Sequence, residues 1–209
     1  PVDDLLVFNI AFGKTVPDVS YNAIANLGYA DVRFRAPVYA GDTLTCQSRV
    51  IGVKENSSGK SGVVYVSSTA MNQHGTEVLG WDRWVMVARR EGAKSRPPVI
   101  PPLADAVPPT EFHVPRFLEI AAIDREHTGS ARLWDDYGPG DVIDHPGGMT
   151  IEESDHMLAT RLYQNTARIH FDAPLARGNQ FHWAKGPGGA TWGWRMWFAP
   201  AIADLRAVV

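Results

Sequence analysis

Between Leu44 and Val87 the chain alternates apolar and polar residues through three long runs separated by short polar breaks, a period of two that calls for β-strands. Leu44 to Val53 runs into the polar turn Lys54 to Ser61, Gly62 to Met71 alternates most regularly, and Asn72 to Gly75 turns the chain into Val78 to Val87. Breaks this short join antiparallel neighbours, because a parallel crossover needs a dozen or more residues. A shorter alternation comes first, where Asp31 to Pro37 sets Val32 and Phe34 against Arg33 and Arg35, ahead of the Ala40-Gly41-Asp42 turn. Arg33, Arg35 and Arg83 are expected on the solvated outer face.

Ahead of the sheet, Leu5 to Phe12 reads as a helix that stops around Gly13, with Pro17 and Asp18 in a turn. A helix followed by antiparallel strands is an α+β arrangement in which the helix covers one sheet face. Residues 91–111 then carry six prolines, in the pairs Pro97-Pro98, Pro101-Pro102 and Pro108-Pro109, and cannot enter a sheet interior or a helix. This linker divides the chain into residues 1–90 and 112–209. In the second part Leu133 to Asp144 reads as a strand and turn leading to a helix near residues 151–164. Thr150 and Glu153 fit a capping box, and Glu152, Glu153 and Asp155 suit the positive end of the helix dipole. Ile151, Leu158 and Leu162, widened by Met157, Ala159 and Tyr163, form its apolar face, and the helix ends near Asn165. Just beyond lies His170, between Ile169 and Phe171. It is either a presented acid/base group or a core imidazole bonded to backbone. Asn165 is either the residue that closes the helix or a hydrogen-bonding group of a site.

Bulk properties exclude several classes. A net charge of -3 leaves no electrostatic footprint for nucleic acid. No run approaches the roughly 18 apolar residues of a membrane span, and Pro-Val-Asp-Asp-Leu-Leu lacks the basic region of a signal peptide. The single cysteine, Cys46, excludes an intramolecular disulfide and fits the cytoplasm. It sits in the alternating run Thr-Leu-Thr-Cys-Gln-Ser, as a small packing residue rather than a nucleophile. No Cys/His cluster has metal-ligand spacing, and neither a glycine-rich phosphate loop nor a Ser/His/Asp order is legible.

Longer phrases carry a resemblance. Residues 148–171, GMTIEESDHMLATRLYQNTARIHF, closely resemble the second half of the mesaconyl-CoA (2-methylfumaryl-CoA) hydratases, MaoC-like dehydratases built from two hotdog units. Residues 12–44, FGKTVPDVSYNAIANLGYADVRFRAPVYAGDTL, with IGVKENSSGKSGVVYV and WDRWVMVARR, are similar to the first unit, so the likeness spans roughly residues 1–172. It implies a hotdog fold, an antiparallel sheet wrapped on a central helix, present as two incomplete units in tandem in a chain truncated at both ends. The last stretch departs from the family, with Trp183, Trp192, Trp194 and Trp197 among glycines. Open strand edges would favour a homo-oligomer.

The resemblance also implies the chemistry: water adds reversibly to an α,β-unsaturated acyl-CoA thioester, with CoA as part of the substrate and no metal or redox cofactor. The related (R)-specific enoyl-CoA hydratases carry a D-x-N-P-L-H pattern. Setting His170 on its histidine puts Asn165 at the aspartate, Ala167 at the asparagine and Arg168 at the proline. His170 would then be the general base toward water and Asn165 would orient it, because an amide cannot transfer a proton at neutral pH. Asp155 and Asp172 are candidates for a second acid. Helix N-termini near Gly147 to Ile151 or Val2 to Leu6 are candidates for oxyanion donors. For the three arginines a CoA phosphate contact is the alternative. A hotdog acyl-CoA thioesterase and a non-catalytic acyl-CoA-binding hotdog protein are the other functional readings.

Overall fold

The computed structural model describes residues 1–112, 132–150 and 152–172. The chain forms two compact units, one from Pro1–His113 with Glu152–Val209 and one from Val114–Ile151. In the first, α1 (Asp4–Thr15) and a π-helical turn (Val16–Ser20) precede β1 (Ala23–Phe34), β2 (Thr45–Glu55), β3 (Ser61–Met71) and β4 (Glu77–Ala88), and α2 (Glu153–Leu162) follows. The four strands form one antiparallel sheet in the order β1-β4-β3-β2. The three alternating runs are β2, β3 and β4, within two residues of their expected ends.

Helix α1 covers one face of that sheet. Val7, Phe8, Ala11 and Phe12 recur at helical spacing, and all are buried together with Ala70, Leu79 and Trp81 from the strands. Phe8 meets Tyr29 and Trp81 edge-on at centroid distances of 5.5 and 5.8 Å, the arrangement ring quadrupoles favour. Burying each such side chain is worth about 1.5–3 kcal/mol. Four antiparallel strands over one helix make this unit a hotdog.

Several expected boundaries moved, each for a physical reason. Helix α1 runs through Gly13 to Thr15. Pro17 has no N–H for the Gly13 carbonyl, so the chain continues as the wider π turn. Strand β1 starts at Ala23, well before Asp31, because its register shifts three times against β4 and breaks the simple alternation. Asp31 sits at one of these shifts with φ of 52°, and its carboxylate holds Arg33 at 2.6 Å. Helix α2 begins at Glu153 with Glu152 as N-cap, two residues beyond Thr150. The Asp155 carboxylate accepts from the Glu152 N–H at 3.0 Å, which is the reach-back expected of Glu153, two residues later. The expected apolar stripe of α2 is not its covered face: Leu158 and Leu162 are 69% and 60% exposed, whereas Thr160 is buried.

In the proline-rich segment, Val99 exchanges backbone hydrogen bonds with Val53 at 2.8 and 2.9 Å, so it adds to the outer edge of β2. A Cβ on Gly52 would lie 2.4 Å from the Val99 carbonyl oxygen, so glycine is required for this approach. In the second unit Leu133 to Asp144 contains no strand. Trp134–Asp136 is a 3-10 turn with Asp136 accepting from the Leu133 N–H at 2.8 Å, and Asp141 accepts from Gly138. These aspartate-to-backbone bonds compete with strand pairing. The tryptophan-rich tail lies outside the described residues.

The chain after α2 returns to the last turn of α1. Ala167 packs on the α1 core, Lys14 donates to the Gln164 side chain, and a Cβ on Gly13 would sit 1.8 Å from the Tyr163 carbonyl oxygen. Glycine inside a helix ordinarily costs about 0.5–1 kcal/mol relative to alanine. A Gly13→Ala variant should therefore be stabilised if position 13 were open, but here it should lose stability, because two backbones cannot separate cheaply. Denaturant unfolding measures the sign, and an alanine variant more stable than the parent chain would refute the contact.

Candidate active site

Helix α2 ends in a Schellman closure that fixes the geometry of the residues behind it. The Gln164 N–H donates to the Arg161 carbonyl and the Asn165 N–H to the Thr160 carbonyl, both at 3.0 Å. This geometry needs a left-handed residue, and Gln164 takes that role with φ of 54°. Gln164 has a Cβ and tolerates the position at some cost, which its bond from Lys14 helps offset.

Asn165 follows, nearly fully buried, and its Oδ1 accepts from the Ala167 N–H at 3.0 Å. This is an Asx turn, so the side-chain oxygen is engaged in holding the loop. The chain then makes a 3-10 turn, Arg168–His170, in which the His170 N–H donates to the Ala167 carbonyl at 3.1 Å. His170 is half-buried at the end of this turn. The structure thus places Asn165 and His170 on one short loop, held by backbone bonds and seated on the C-terminal end of α1.

The candidates for a second acid are otherwise engaged. Asp155 caps α2, and the Asp172 carboxylate is bonded by Arg168 at 2.5 and 3.0 Å. Three of the amides near Val2 to Leu6 are also committed. Val2 donates to the Val38 carbonyl, the Asp3 carboxylate accepts from Leu5 and Leu6, and Val7 donates to the Asp3 carbonyl. Asp3 and Asp4 also put two carboxylates at that end of α1, which disfavours an oxyanion there. Gly147 to Thr150 precede α2 in the sequence, and Ile151 lies outside the described residues.

Arg83 corrects the sequence reading most strongly. Arg35 is half-exposed and paired with Glu77 at 2.5 Å, and Arg33 bridges Asp31 and Glu111 at 2.6 and 2.7 Å, as outer-face groups do. Arg83 is completely buried. It faces α1 because it shares the β4 side that carries Trp81 and Val85. Its guanidinium lies 4.6 Å from the centroid of the Phe12 ring, and its Nη2 donates to Thr15 Oγ1 at 3.0 Å and to the Thr15 carbonyl at 3.4 Å. Its Nε and Nη1 have no hydrogen-bond partner among the described residues. Burial pulls its pKa down to about 10, which still leaves a full positive charge at neutral pH.

Cys46 takes the packing role expected of it. Its thiol donates to the Ala11 carbonyl at 3.3 Å, and burial pushes its pKa up to about 11, away from nucleophilic use. Among the described residues no three His, Cys, Asp or Glu side chains gather as a metal site.

Comparison with known proteins places this geometry. Residues 8–80 match the model of the FAS1-like dehydratase domain region. The chain is 55% identical to a β-methylmalyl-CoA dehydratase of Chloroflexus aurantiacus, over 87% of its own length and 52% of that protein's. It is 52% identical to a mesaconyl-CoA hydratase of Cereibacter sphaeroides, over 83% of its own length and 51% of that protein's. The crystal structure of a putative MaoC domain protein dehydratase from Chloroflexus aurantiacus superposes with a TM-score of 0.79 at 55% identity, over 87% of this chain and 52% of that one. The chain therefore spans about half the length of the curated relatives it matches. With its helix-on-sheet hotdog and 55% identity over 87% of its length, the chain belongs to the MaoC-like dehydratases.

Proposed function

We propose that this chain serves a hydro-lyase that reversibly adds water to an α,β-unsaturated acyl-CoA thioester, converting mesaconyl-CoA to β-methylmalyl-CoA. The observation that carries the reading is the His170 loop. It is seated on a hotdog core in a chain more than half identical to proteins named for the two directions of this reaction. In hydration the water oxygen bonds to the β carbon, the α carbon gains a proton, and charge develops on the thioester oxygen. His170 accepts the proton that water loses and delivers it to the α carbon, the two halves of general acid/base catalysis that one imidazole can perform. The Asn165 amide nitrogen holds the water, because its oxygen is already bonded to Ala167. CoA is the substrate's handle, and the step needs neither a metal nor a redox cofactor.

Self-association is part of the same proposal. Leu158 and Leu162 present an apolar stripe, and β1 and β2 are the sheet's two edges. Light scattering should read a homo-oligomer, and a strict monomer would refute this part. A cytoplasmic location belongs to the same proposal; no helix among the described residues is long and apolar enough to cross a membrane.

The assay follows enoyl-thioester absorbance and free thiol together. Loss of the first without appearance of the second is expected, whereas thiol release would mark a thioesterase and neither signal a binding protein. His170→Ala should lower turnover by ~10²–10⁴-fold with the melting temperature preserved. Full turnover in that variant would return His170 to a structural role.

Asn165 is tested by two substitutions read for stability as well as rate. Asn165→Asp keeps an acceptor for the Ala167 N–H, so it should hold the fold and either retain turnover or add an acidic limb to the pH profile. Asn165→Leu strands that N–H, at roughly 0.5–1.5 kcal/mol or more, and loses the water contact as well. Equal rates in all three proteins would mean that Asn165 only closes the helix.

A further inference from the structure

The buried side-chain atoms without hydrogen-bond partners among the described residues all belong to the paired strands β1 and β4 and to the π turn packed on them. They are the Ser20 hydroxyl, both ends of the Asn26 amide, the Trp81 indole N–H, and Nε and Nη1 of Arg83. Trp81 and Arg83 alternate onto the α1 side of β4, and Val85 is the next residue on that side. Directly paired residues of antiparallel strands share a face. Asn26 pairs with Val85 and Tyr29 with Arg83, so the register shift between Asn26 and Gly28 turns the Asn26 amide toward the same side as the guanidinium. Ser20 closes the π turn, which packs on both β1 and β4. Native interiors leave few polar groups unpaired, so such a cluster calls for a ligand.

The groups are rich in donors and include one permanent cation, a composition that suits an anion. The Arg83 anchor, Thr15, adjoins Gly13 and Lys14, which touch Tyr163 and Gln164 just ahead of Asn165 and His170. The anion site and the proposed proton-transfer loop therefore share the last turn of α1. A compact carboxylate fits a fully buried guanidinium better than a large, strongly hydrated CoA phosphate does.

We propose that Arg83, with Asn26 and Ser20, binds the free carboxylate of a dicarboxylyl-CoA thioester, and so selects diacid over monoacid substrates. The inference rests on the hydratase reading for the identity of the acyl group, but its test needs no turnover. Binding of 2-methylsuccinyl-CoA, 2-methylbutyryl-CoA and free CoA to the full chain is measured by calorimetry. The first two differ only in a carboxylate against a methyl group.

The parent chain should bind the diacid thioester ~10–100-fold more tightly than the monoacid, as expected for charged hydrogen bonds. Arg83→Met should abolish that preference and leave free CoA affinity unchanged. Asn26→Ala guards against misfolding of the arginine variant, since the Asn26 amide has no hydrogen bond to lose. It should weaken the diacid selectively with the melting temperature unchanged or higher. No preference in the parent chain, or an equal loss for all three ligands, would overturn the proposal; the equal loss would assign Arg83 to the CoA phosphates or to the fold. If Arg83→Met fails to fold, an unchanged preference in Asn26→Ala overturns it. A chain that binds the diacid selectively yet hydrates no enoyl thioester would refute the hydratase reading and leave this site standing.

Discussion

Three consecutive residues at the end of α1 hold the rest of the first unit in place. Gly13 lets the Tyr163 backbone approach, Lys14 bonds Gln164, and Thr15 anchors Arg83. Each contact joins elements far apart in sequence, and each depends on α1 being correctly seated by Val7, Phe8, Ala11 and Phe12. Had the helix stopped at Gly13, as glycine and the following proline suggest, none of the three would form. Continuation to Thr15 is therefore favoured by tertiary packing over local propensity.

Arg83 shows what that packing tolerates. Removing a cation from water costs several kcal/mol even after relaxation. A hydrogen bond from a charged donor returns roughly 1.5–3 kcal/mol, and a desolvated cation over an aromatic ring about 2. Thr15 and Phe12 supply these two terms and leave the remaining donors uncompensated. An aliphatic side chain would serve the core better at this position. The charge is explained by recognition rather than by stability, and it lies beside the loop that carries His170.

The strands were legible because β2, β3 and β4 pair with few irregularities, so burial and alternation coincide. Strand β1 was not, because three register shifts and the left-handed Asp31 break its period while its hydrogen bonds remain. The same alternation contained the signal for Arg83. Parity with Trp81 and Val85 places it inside, and charge alone argued for the surface. Helix α2 was legible as a helix, but its covered face was not, because the residue facing the core, Thr160, is polar and the leucines lie outside. The 3-10 turn in place of a strand at Leu133 to Asp144 follows from aspartates that bond the backbone locally, a competition that hydrophobic spacing does not register.

Asn165 separates two tasks that a carboxylate at this position would combine. The resemblance to the (R)-specific enoyl-CoA hydratases sets Asn165 at the aspartate of their pattern, and either side chain can accept the Ala167 N–H and keep the loop's shape. Only the carboxylate can also move a proton. The amide therefore preserves the geometry, and in the proposed reaction it leaves the acid/base work to His170 while its nitrogen donates to the water. A neutral group here also removes a negative charge that would repel an anionic substrate near the loop, because like charges in a poorly screened interior are costly. For a diacid thioester whose one free carboxylate is held by Arg83, as proposed, that exchange is favourable: the site keeps its hydrogen bonds and gives up only a charge the substrate already carries.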